Sequence, residues 1–200
     1  MNDIKILDLG CGMKKEKNSI GLDKFPYSGV DVIYDLESGK KFPFEDCFFD
    51  KVNAFHLLEH INNKDFRGKD IIYHIFGEVY RVLKPNGIFH IKVPYFKSFI
   101  AVGVLEHKRF FSSKTFMWFE KMDEFNKREC NVEFGVRKLR FNYLLGEKKH
   151  FKLINKIINP LINFNHNFYE LLLSNLLPCG EIEVWMVKKE KSSQGRTHEL

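Results

Sequence analysis

The run DLGCG, residues 8–12, sets Gly10 and Gly12 one residue apart, and GLDKF then places Asp23 behind a short apolar pair. Glycines in such a turn let backbone N–H groups approach an anion or a ribose closely. A carboxylate at the end of the next strand can accept both hydroxyls of a ribose. The alternative for Asp23 is a plain surface carboxylate. After Gly12 the chain reads MKKEK, so GxGxxG is incomplete, and no Walker A lysine–serine pair is present. That disfavours a pyrophosphate cradle and favours an adenosine-bearing ligand without phosphates. Cys11, Cys47, Cys130 and Cys179 are scattered, without the paired spacing of a zinc site or a disulfide framework, so they read as reduced thiols and no metal is expected.

The elements that must position these residues follow in order. IKILDLG reads as a buried strand ending in a glycine turn, DVIYD as a second strand, and DKVNAFHLLEHI as a third running into a short helix after His56. Residues 70–87 carry Ile71, Ile72, Ile75, Phe76, Val79, Val82 and Leu83 at helical spacing until KPNG stops them. GIFHIKVPY follows as a strand closed by Pro94. Only a brief helix or a loop fits between Gly12 and Asp23. Strands alternating with helices predict a mostly parallel sheet with helices on both faces.

The second half reads differently. Residues 112–125 predict a helix capped by Ser112 or Ser113, with Phe116, Met117, Phe119 and Met122 facing inward. CNVEFGVRKLRFNYLL reads as a late strand continuing to about Tyr143. Residues 153–177 are broadly apolar, and Pro160 predicts two helical pieces there. They suit a core or a homodimer surface better than a membrane-touching face. EIEVWMVKKE is a final strand, with Ile182, Val184 and Met186 on one side, and 191–200 reads as a flexible tail.

The chain has 200 residues, 44% of them hydrophobic, which excludes compositional disorder and suits a single domain over 1–190. No stretch approaches a transmembrane span and no secretory leader is legible, so a cytoplasmic protein is expected. The net charge of +6 draws on HKR at 107–109, RKLR at 137–140 and KKH at 148–150. Such runs are either solvated faces or a field for an anionic partner; nucleic acid is possible but not favoured.

The ordered set DLGCG, GLD, DLESGKKFPFEDCFFDKVNAFHLLEHI and GEVYRVLKPNGIFHIKVP, across about residues 4–94, resembles the class I S-adenosylmethionine-dependent methyltransferases, especially their small-molecule-type branch. The resemblance implies an α/β, Rossmann-like seven-stranded sheet, mostly parallel, with helices on both faces, a final antiparallel strand and a compact C-terminal elaboration. It also implies S-adenosylmethionine as cofactor. By the same resemblance Asp8, Gly10, Cys11 and Gly12 line the methionine end, and Asp23 binds the ribose. Asp35 and Leu36 approach the adenine, while His56 and Leu57 border the cofactor. Asp8 has the alternative of stabilising the glycine turn, and His56 that of a packed histidine. Glu59 and His60 read as organisers of their loop.

The acceptor side falls after the fifth strand, within a cap and helical elaboration over 95–178. Tyr95 reads as a gate, Arg109 as a carboxylate or phosphate ligand or a surface ion pair, and His107 as a general base or a loop organiser. The activity implied is direct in-line methyl transfer to a small, lipid-like, sugar-linked or nucleotide-linked acceptor. The alternatives are an RNA methyltransferase and a non-catalytic, methyltransferase-like partner protein.

Overall fold

The computed structural model describes residues 4–64, 68–120, 128–143 and 149–190. Seven strands form one sheet in the order β3-β2-β1-β4-β5-β7-β6. They are β1 (Ile6–Leu9), β2 (Ser19–Asp23), β3 (Val32–Ile33), β4 (Phe49–Phe55), β5 (Leu83–Pro94), β6 (Phe134–Asn142) and β7 (Glu181–Lys188). The first five pair in parallel, and β7 runs antiparallel to both β5 and β6. The expected fold class is therefore present, and β7 is the expected final antiparallel strand. Central β1 explains the pattern locally: Leu7 and Leu9 are fully buried and Asp8 is nearly so, as in a strand covered on both faces.

Only residues 10–18 separate β1 from β2. That is too short for a helical crossover with its two turns, so the chain returns as a loop. The first full helix, α1 (Ile71–Val82), comes after β4. Asp70 caps it by accepting from the Ile72 N–H at 3.0 Å, and Ile71, Ile72, Ile75, Phe76, Val79 and Val82 form its buried stripe. It stops at Val82, before KPNG, because Leu83 already belongs to β5 and Asn86 turns the chain at φ 61°. Phe76 stacks on Phe119 at 3.9 Å and meets Phe89 and Phe134 edge-on, which locks α1 to the sheet.

After β5 come two short helices, α2 (Phe99–Gly103) and α3 (Ser113–Trp118). Ser112 caps α3 with a reciprocal bond to Thr115, as its sequence predicts. The predicted helix extends to 125, and residues 121–127, Met122 among them, lie outside the described residues, as does the predicted tail at 191–200. The late strand is β6, ending at Asn142.

Pro160 does not divide the following segment. One helix, Lys149–Asn163, runs through it. A proline removes one helical N–H bond, but side chains clamp this turn to the edge of β6. Asn163 accepts from the Phe141 N–H at 2.7 Å and returns an amide bond to its carbonyl at 2.8 Å, while Asn159 accepts from Tyr143 N–H at 2.9 Å. The asparagine amide satisfies an edge strand as a neighbouring strand would. Beyond it, a helical turn at 166–168 leads into a π-helical segment, Tyr169–Leu173. Ile162 and Tyr169 are buried, whereas Leu153, Ile157, Leu161, Phe164, Leu171 and Leu176 are exposed, so most of this apolar segment is not core. No helix among the described residues is long and apolar enough to cross a membrane.

Candidate functional site

The turn after β1 is built by its glycines. Gly10 has φ 60° and Gly12 φ 53°, left-handed values that side-chain-bearing residues rarely adopt. A Cβ on Gly10 would stand 2.5 Å from Leu57 Cδ1, so the turn and the loop after β4 meet with no room between them. The turn is fastened to β2: Gly10 N–H donates to Leu22 C=O at 2.8 Å, and Gly12 N–H to Asp23 Oδ2 at 3.0 Å. Asp23 Oδ1 accepts from Phe25 N–H at 3.0 Å. Each oxygen keeps a lone pair after its backbone bond.

Asp23 opens onto a cleft of about 210 Å³ at the C-terminal ends of β1, β2 and β4. The sequence-predicted residues Gly10, Asp23, Asp35, Leu36, His56 and Leu57 all line it. Asp35 caps the 3₁₀ turn Leu36–Ser38 by accepting from Glu37 N–H at 2.9 Å. The other predicted cofactor residues, Asp8, Cys11 and Gly12, do not line the cleft. Asp8 is buried and accepts from Glu16 N–H at 2.8 Å, so its carboxylate also organises the return loop. Burial holds its pKa above the ordinary carboxylate value. Cys11 is buried under the turn, and burial pushes its thiol up to about 11, an inert state.

His56 has φ 51°, a strained value for a non-glycine residue. Its Nε2 lies 2.9 Å from Glu181 Oε2 on β7 and its Nδ1 3.4 Å from Glu59 Oε1. The bond to Glu181, then the contact with Glu59, raise its pKa to about 9 against the cost of burial. It is thus charged at neutral pH and serves the cleft wall as a cation.

The three acceptor-side residues take different places. Tyr95 has no exposed surface and packs against Phe96, Phe141 and Tyr169, so it cannot act as a gate. Burial pushes its hydroxyl up to about 12. Arg109 is spent on structure: Nε donates to Ile61 C=O at 3.0 Å, Nη2 to Asn62 C=O, and Nη1 and Nη2 grip the Asp70 carboxylate. Its fork ties the loop to the cap of α1 and is not presented to the cleft. His107 does not line the cleft either. Its ring stands edge-on to His60 at 4.8 Å, and His60 does line the cleft. His107 Nδ1 lies 3.1 Å from Ala101 C=O, which requires the proton on Nδ1 and leaves Nε2 free.

Several lining residues have no role in the sequence reading: Phe25, Tyr27, Tyr34, Glu37 and Ile61, with His60 assigned only to its loop. Phe25 and Tyr27, rings 5.7 Å apart and both exposed, follow directly on Asp23. Exposed aromatics beside a ribose-type carboxylate are the signal that could have found them. Glu181 left no such signal, because only strand pairing carries β7 back beside β5.

The family model for the methyltransferase domain matches residues 13–91. No curated protein matches the chain. Among solved structures, the chain is similar to YcgJ from Bacillus subtilis, with 17% identity, coverage of 94% of this chain and 93% of that one, and a TM-score of 0.53. A S-adenosylmethionine-dependent methyltransferase from Archaeoglobus fulgidus matches at 17% identity over 94% and 87%, with a TM-score of 0.54. A methyltransferase from Haloferax volcanii, solved in complex with the Trm112 activator, matches at 17% identity over 94% and 83%, with a TM-score of 0.53. These likenesses show the fold. The methyltransferase-domain match spans residues 13–91, and the strand order is that of a Rossmann-like methyltransferase fold, with the cleft lying at its glycine turn.

Proposed function

We propose that the chain methylates an oxygen or nitrogen of a small, lipid-like acceptor. The observation that carries this reading is the exposed apolar surface of α2 and the loop that holds His107: Phe99 and Val102 on the helix and Leu105 and Phe110 on the loop are all exposed, Leu105 at 97%. Exposed apolar groups on a segment that meets the cleft through the His107–His60 contact suit an acceptor with an apolar body and one nucleophilic atom. The basic residues Arg137, Lys138 and Arg140 lie on β6, at the far edge of the sheet from the cleft, which favours a small acceptor over RNA.

The cleft suits S-adenosylmethionine by its donor set, the Asp23 and Asp35 carboxylates among apolar and aromatic walls. In this reading Asp23 takes the ribose hydroxyls with its two remaining lone pairs, Asp35 and Leu36 meet the adenine, and Phe25 and Tyr27 cover it. Gly10 and Gly12, backed by Asp8 and Cys11, shape the methionine end, and Leu57 and His56 close the wall. When bound, the cofactor supplies a methyl group already activated on a sulfonium, so no covalent enzyme intermediate is required. The chain's own task is alignment and exclusion of water. His60, steadied by His107, orients the acceptor's polar atom; Tyr95 and Arg109 act as positioning residues. The segment 95–178 forms the acceptor-side cap of a domain spanning 1–190.

Incubation with methyl-labelled cofactor and separate lipid, sugar-nucleotide and RNA fractions tests the acceptor class. Label in the organic-soluble small-molecule fraction is expected. Label confined to RNA or to the sugar-nucleotides, or no transfer to any fraction, overturns the proposal.

A further inference from the structure

Cysteine spacing predicts no metal, yet two segments of the fold bring Glu59, His60 and His107 together with one ligand atom from each within 4.8 Å of the others. Glu59 is the unusual member. It is 1% exposed, and neither carboxylate oxygen accepts a hydrogen bond from the described residues. His56 Nδ1 lies 3.4 Å away, an ion-pair distance without hydrogen-bond geometry. That pair offsets part of the cost of burial, and the carboxylate keeps acceptor capacity for a second cation.

The two imidazoles are arranged to supply nitrogen ligands. The Ala101 carbonyl fixes the His107 proton on Nδ1 and presents Nε2, the same outer bond that orients metal-ligating histidines. The segments carrying the three groups are stitched together before any ligand arrives. Lys108 N–H and Arg109 N–H both donate to the Glu59 carbonyl, at 2.7 and 3.3 Å, and the Arg109 side chain holds Ile61 and Asp70. Metal bonds of about 2.1 Å place neighbouring ligand atoms roughly 3–3.5 Å apart. The observed spacing is wider than that, so the three side chains draw inward on an ion.

We infer that Glu59, His60 and His107 hold one divalent transition-metal ion at the edge of the cleft. Two imidazoles and one carboxylate suit zinc, cobalt or manganese better than magnesium or calcium. Three protein ligands leave open positions, as catalytic sites do and closed structural sites do not. Because His60 also lines the cleft, those positions are available to an acceptor oxygen. In that state both histidines serve as ligands and neither as a base. The binding of the ion stands on this geometry alone; its part in orienting the acceptor rests on the methyl-transfer reading.

The full chain, freed of metal by chelation, is titrated with cobalt(II) and followed by visible absorption, and with zinc(II) by calorimetry, in the absence of cofactor and acceptor. One ion per chain is expected, with a cobalt d–d band. Glu59→Gln and His107→Gln should each weaken binding at least about tenfold, whereas His150→Gln, on a distant exposed helix, should bind as the native chain does. Absence of saturable binding by the native chain, or equal binding by the native chain and a folded Glu59→Gln or His107→Gln variant, would overturn the site. S-adenosylhomocysteine binding is measured separately, so a failed cofactor assignment and a failed metal site are told apart.

Discussion

The glycine-turn wall of the cleft and the segment that follows β5 are built by different means. On the cofactor side the main chain does the shaping: two left-handed glycines, the N–H groups of Gly12 and Phe25, and a carboxylate at the end of β2. In the segment after β5, behind the cleft, side chains do it: Arg109 bridges two carbonyls and Asp70, Glu170 holds Ser113, and His107 leans on Ala101. A backbone-built wall depends on the few residues that permit its conformation. A wall built from side chains depends on partners far away in sequence. Substitutions on the two sides should therefore fail differently, one in binding and the other in stability.

The largest expected effect is on the acceptor side. Arg109→Ala strips Asp70 of its main cation and leaves the Ile61 and Asn62 carbonyls without their donor, at a cost of about 3 kcal/mol. Urea denaturation should show a lowered midpoint, and the folded fraction should keep its cofactor affinity. A change in acceptor KM with unchanged stability would instead make Arg109 a substrate ligand. Next comes a pH test of the sheet itself. Burial raises the pKa of Glu183, but the hydrogen bond to His90 and the charge of Lys92 outweigh it and hold the group at about 2. A depressed carboxylate stabilises the fold above its unfolded pKa of 4.5, and that stability is lost as pH falls from there through about 2. The contribution is on the order of 2–3 kcal/mol, so Glu183→Gln should flatten the stability profile between those limits; an unchanged profile would remove the ion pair from the account.

On the cofactor side, Gly10→Val adds a branched side chain where even a Cβ meets Leu57, at a left-handed φ. Calorimetry with S-adenosylhomocysteine should show affinity reduced by about a hundredfold, roughly 2.7 kcal/mol, with a folded chain by circular dichroism. The smallest effect is expected at Leu161 and Leu171, which are exposed. Leu161→Glu and Leu171→Glu should each cost less than about 0.5 kcal/mol. If 153–177 is a homodimer surface, sedimentation should find the native chain as a dimer and the double variant as a monomer; equal masses would sink that reading.

The same contrast explains what the sequence made legible. Gly10, Gly12 and Asp23 lie close along the chain and their chemistry is local, so the turn, its neighbouring strand and the cleft could be read directly. α1 was legible because its apolar stripe and the Asp70 cap are local as well. Tyr95 looked like a gate because it follows β5, but whether it faces solvent depends on Phe141 and Tyr169, far along the chain. Pro160 read as a helix break because nothing nearby shows that Asn159 and Asn163 would be tied to β6. Glu59 and His107 lie on separate segments, so their meeting was invisible until the loops were placed.

The most direct test of the central claim is equilibrium binding of S-adenosylhomocysteine to the native chain and to Asp23→Asn. One equivalent should bind the native chain. The variant should bind at least about tenfold more weakly, a difference of roughly 1.4 kcal/mol, because the amide cannot accept both ribose hydroxyls while it holds the Gly12 and Phe25 N–H groups. No saturable binding to the native chain, or equal affinity in a folded Asp23→Asn variant, would contradict the account.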